Sequence, residues 1–103
     1  MPKFLVTYHG GTMPTSEEGL QQVTAAFGAW AAGAGKALVD PGAPLGKSRT
    51  VSTESVTEGI AQGPVNGYSV LEAADLDSAV SLVRNHPFVA RGGALQVSAA
   101  VTP

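Results

Sequence analysis

Two histidines, His9 and His86, and eight carboxylates are the side chains on which acid–base or metal chemistry could rest in this 103-residue chain. There is no cysteine, which removes thiolate metal sites, disulfides and cysteine nucleophiles together. His86 stands just before Pro87, at the expected end of a helix. There it is either a cation set against the helix dipole or a proton carrier with a pKa near neutrality, lining a cavity. His9, followed by Gly10-Gly11 at a strand end, carries the same two readings. Asp40 begins Asp-Pro-Gly and is most simply a turn residue, but it could also be the acid or base of a loop-built site next to the sheet. Asp40 and His86 are therefore the acid–base candidates. Trp30, Pro44 and Tyr68 are the candidate walls of a pocket beside them.

Other chemistries fail on spacing. Gly42-Ala43-Pro44-Leu45-Gly46-Lys47-Ser48 resembles a phosphate-binding loop, but only three residues separate its glycines where four are needed, and Pro44 removes an amide. A metal site would need a histidine with Asp40, Glu54, Glu58 or Glu72, and no HxH or HxxxH spacing exists. No metal and no cofactor are expected. Ser69 has no GxSxG elbow around it. The net charge of −2 argues against a nucleic-acid partner. The longest apolar run near the N-terminus, Phe4–Val6, is too short for a membrane span or a signal segment, so a cytoplasmic protein is expected.

The elements that must position these residues read clearly in several places. Lys3–His9 alternates as a strand, with Phe4, Val6 and Tyr8 on one face and Leu5, Thr7 and His9 on the other. Thr15 and Glu18 form the pattern of a capping box. Leu20, Val23, Phe27, Trp30 and Ala34 follow at spacings of three and four, giving a helix over about 16–33 that Gly33 and Gly35 can close. Lys36–Val39 is strand-like, Arg49–Val56 reads as an edge strand, and Val65–Ala73 is the strongest strand. Asp75 caps a second helix with the stripe Leu76, Ala79, Val80 and Val83, which Pro87 stops. Ala94–Val101 is the last strand.

The order β-α-β-β-β-α-β in one domain, residues 1–103, is that of an α+β ferredoxin-like plait with both helices on one face of an antiparallel sheet. Two helices cover one sheet face, yet Leu5 and Val70 oppose neighbours that are also apolar. The uncovered face predicts a homodimer with two sheets packed about a two-fold axis.

Several pieces together resemble the YCII-related family and its relatives with the DGPF signature. They are Lys3-Phe4-Leu5-Val6, the run from Phe27 through Trp30 to Gly35, and Ala37-Leu38-Val39-Asp40-Pro41-Gly42-Ala43-Pro44-Leu45-Gly46. Gly67-Tyr68-Ser69-Val70-Leu71-Glu72-Ala73, Asp75–Ala79 with His86-Pro87-Phe88, and Leu95-Gln96-Val97 complete the set. The resemblance implies a dimeric α+β barrel and retains Asp40 and His86 as pattern matches. Thr24 stands where some of these proteins carry a first-helix histidine, and Gln62-Gly63-Pro64-Val65 replaces the DGPF tetrapeptide. Three functions are compatible with this reading. The first is a small-molecule-binding or regulatory domain with its pocket between the helices, the sheet and the 40–46 loop. The others are a small cofactor-independent enzyme using Asp40 and His86, and a structural dimerisation module.

Overall fold

In a computed structural model, described for residues 1–59 and 63–101, β1 (Lys3–Gly10) alternates as its sequence dictates. Phe4, Val6 and Tyr8 are buried while Leu5 faces out. Helix α1 (Glu17–Ala34) starts one residue later than the capping pattern places it. Ser16, in extended backbone, accepts from the Gly19 amide, so the Thr15–Glu18 box does not form. Gly35 closes the helix at φ 59°, a conformation glycine adopts at no steric cost. A 3₁₀ turn over Gly35–Ala37 leads into β2 (Leu38–Pro44).

β2 runs through the Asp-Pro-Gly segment instead of ending there. The Asp40 carboxylate accepts from the Gly42 amide at 2.8 Å, and the register against the next strand shifts on both sides of Asp40. The turn chemistry was legible, but here it makes a bulge within a strand. The expected edge strand at Arg49–Val56 is instead a hairpin of β3 (Arg49–Val51) and β4 (Val56–Glu58), which forms its own two-stranded sheet. Ser52 explains the break: its hydroxyl accepts from the Glu54 and Ser55 amides, and its own amide bonds to Ser55 O, turning the chain. Residues 60–62, and with them Gln62 of the Gln62-Gly63-Pro64-Val65 segment, lie outside the described residues.

β5 (Gly67–Glu72) buries Ser69 and Leu71 on the face opposite Tyr68 and Val70. Asp75 caps α2 (Leu76–Val83) through the Ser78 amide. Pro87 does not stop this helix, which has already ended at Val83; it sits at the first position of α3 (Pro87–Ala90), with His86 as cap. β6 (Gly93–Ala99) completes an antiparallel sheet of order β2-β5-β1-β6. The result is a small α+β protein, its four-stranded antiparallel sheet compatible with a ferredoxin-like fold. The core joins Phe4, Val6, Tyr8 and Leu71 of the sheet to Ala73, Ala79, Val83 and Phe88.

No residue of α1 is buried. The apolar stripe read from its spacing leaves Leu20 43% exposed. The C-terminal half of the helix is held by Trp30, whose Nε1–H donates to Leu82 O at 2.9 Å. The N-terminal half faces a cavity. No helix of the described residues is long and apolar enough to cross a membrane.

Gly42 is the position on which β2 turns. Its φ is 72°, and a Cβ there would lie 1.7 Å from Tyr68 O, a main-chain atom that cannot swing aside. Gly42→Ala should destabilise the protein by at least about 1–3 kcal/mol, the cost of the backbone conformation alone. Urea unfolding checks this, with Gly46→Ala, which meets nothing within 4 Å, as the near-neutral comparison.

Candidate functional site

His86 is 2% exposed and sits where four elements meet. As the cap of α3, its Nδ1 accepts from the Phe88 amide at 3.0 Å. A neutral imidazole has one donor and one acceptor nitrogen, so that bond leaves the proton on Nε2. Nε2–H then donates to the Tyr8 hydroxyl at 2.9 Å. Ser69 donates its own proton to Pro41 O at 2.8 Å, so Tyr8 must donate to Ser69 Oγ, also at 2.8 Å. The chain Phe88 N–H, His86, Tyr8, Ser69, Pro41 O therefore has one fixed direction. It ties α3, β1, β5 and the bulge of β2 together.

The imidazole is also boxed by rings. Trp30 lies 4.3 Å away between centroids, Tyr8 5.1 Å edge-on and Phe27 5.6 Å. Burial, and then the nearby charge of Arg91, lower its pKa from 6.5 to about 4. Burial likewise pushes the Tyr8 phenol up, partly offset by its bond to Ser69. The reading of His86 as a cation against a helix C-terminus is thus corrected. It follows α2 by three residues, is buried, and is neutral at physiological pH because both its nitrogens are committed in that state.

Against this network lies a cavity of about 400 Å³, between α1, the α3 turn and the ends of β1, β2 and β5. Leu20, Val23, Phe27 and Met13 form an apolar wall, and Tyr8, His86 and Arg91 are the polar groups of note. Pro44 and Tyr68, two of the residues named from the sequence, line it. Trp30 does not; it backs His86 from behind. Asp40 is exposed, outside the wall, and engaged with Gly42. The structure therefore does not bring Asp40 and His86 together at the cavity. His9 lies away from it, bonded through Nε2 to the Thr7 hydroxyl at 2.8 Å.

Sequence reasoning missed Tyr8, Ser69 and Arg91 as site residues. Ser69 did carry a signal, being a hydroxyl at an inward position of a strongly apolar strand. Thr24, at the position of the absent histidine, lines the cavity and donates to Leu20 O of its own helix. Among the described residues no group of three or more His, Asp or Glu is placed to hold a metal ion. The chain matches no family model, no curated protein and no solved structure.

The neutral histidine makes stability depend on pH in a defined sense. Its folded pKa lies below the unfolded value, so the unfolded chain takes up this proton first as pH falls. The contribution is complete above pH 6.5 and is lost between there and about 4. It amounts to roughly 3 kcal/mol over that window. Denaturant melts at pH 7, 5.5 and 4 should show a steeper decline for the wild type than for His86→Ala, which starts lower. A deficit appearing only at low pH would contradict the neutral form.

Proposed function

We propose that this protein is a homodimeric small-molecule-binding domain whose ligand occupies the cavity beneath α1. The observation that carries this reading is the cavity itself. It is about 400 Å³, within the usual range for ligand sites, and is mainly apolar with a few fixed polar groups at its floor. The hydrogen-bond network favours binding over catalysis. A general base needs a free lone pair at working pH, and His86 offers none, with Nδ1 occupied and its pKa about 4. Asp40, the other member of the acid–base pair, stands outside the wall. The enzyme reading therefore ranks second.

Addition of phenylacetate, phenylacetamide, hexanoate or hexanamide should shift the amide NMR signals of Phe27, Gly42 and Gly67. Val23→Trp, which fills the cavity from α1, should abolish the shifts while preserving the thermal transition. If no compound shifts these signals, or Val23→Trp leaves the shifts intact, the cavity is not a binding site.

The strand order β2-β5-β1-β6 supports a ferredoxin-like plait, and the YCII-related resemblance adds the dimeric α+β barrel. Leu5 and Val70 share the sheet face that the core leaves uncovered, with Lys3 opposite Glu72 at its border. Light scattering at micromolar concentration should give twice the 10.4 kDa chain mass, and Leu5→Lys with Val70→Lys should give the monomer. The chain mass for the wild type would overturn the dimer.

A further inference from the structure

We propose that the ligand is an apolar monocarboxylic acid, its carboxylate held by Arg91 and its hydrocarbon or aromatic body against Leu20, Val23 and Phe27. This rests on the binding reading above and names its ligand class. Arg91 lines the cavity, and no Asp, Glu or Lys does. The ion pair found among the described residues joins Arg49 to Glu58, so Arg91 has no carboxylate partner within this chain's described part. Its Nε is shut off from solvent and makes no hydrogen bond within the described residues, so a carboxylate in the cavity must be met by the two terminal nitrogens.

The side chain is also placed for this task. Its guanidinium carbon lies 5.4 Å from the centre of the Phe88 ring, a cation–π contact that leaves its donors free. Its amide bonds to Pro87 O and Phe88 O, so the residue closes the α3 turn that His86 opens. One fixed cation with an apolar wall beyond it matches one anionic group on an apolar body. A guanidinium takes a carboxylate through two parallel N–H···O bonds, which an amide cannot reproduce. Because His86 is neutral, the anion's charge is met by Arg91 alone.

Isothermal titration with phenylacetate and hexanoate, each against its own amide, tests the assignment. Each acid should bind at least about tenfold more tightly than its amide, the margin by which charge-assisted bonds exceed neutral ones. Inorganic phosphate should bind more weakly than either acid, because it lacks the apolar body. Arg91→Gln should erase the acid–amide difference while amide binding persists, and Arg91→Lys should retain only part of it. Amides that bind as well as the acids, or phosphate that binds as well, would overturn the ligand class while leaving the cavity a binding site. Absence of binding by all four organic probes would instead remove the binding reading itself. Should Arg91→Gln fail to fold, the comparison of acids with amides on the wild type still decides.

Discussion

The hydrogen bond from the Phe88 amide to Nδ1 of His86 sets the rest of the site. A protonated imidazole would turn a second N–H toward that amide and break the cap. The charge would also sit among Trp30, Tyr8 and Phe27 with Arg91 nearby. Neutrality is thus imposed twice, by the cap and by the surroundings. With the tautomer fixed, every later bond has its direction fixed too, down to the Pro41 carbonyl in the bulge of β2. The donors and acceptors along this chain are paired, the condition under which a buried polar network is tolerated and specifies one arrangement. The cavity floor is rigid for that reason.

Helix α1 shows what this rigidity supports. Trp30 anchors its far half on Leu82 and against His86, while the near half stands off the sheet. Standing off leaves an apolar stripe with no partner from the sheet, which a helix chosen for stability alone would bury. The bulge contributes from the other side. Pro41, Gly42 and Pro44 line the cavity, and the Gly42 backbone approaches Tyr68 as only glycine can.

Much of this was legible in the residues and some was not. Period-two alternation placed Phe4, Val6 and Tyr8 together, and the three-and-four spacing found α1 to within one residue at each end. Periodicity names a face, however, and not what lies opposite it. His-Pro was read as a stop because proline ends helices, yet the same residue is favoured at a first helical position, and a four-residue helix has no period to reveal it. Arg91 could not be read at all. Its wall is assembled from α1, α3 and three strand ends, which only the topology brings together. Asp40 was legible as a turn former, and its bond from the Gly42 amide makes a bulge within β2 instead.

The energetics of the open stripe narrow what can fill it. Covering on the order of 100 Å² of apolar wall returns about 2.5 kcal/mol. Association itself costs more than that in lost translation and rotation. An apolar body alone is therefore a weak ligand for this cavity, and so is a small anion that meets Arg91 while leaving Leu20 exposed. The two contributions become sufficient when one molecule makes both, because the loss of freedom is then incurred once. The distance between the cation at the α3 turn and the unpartnered half of α1 thus acts as a selector. It favours ligands in which the charge and the apolar surface are covalently joined.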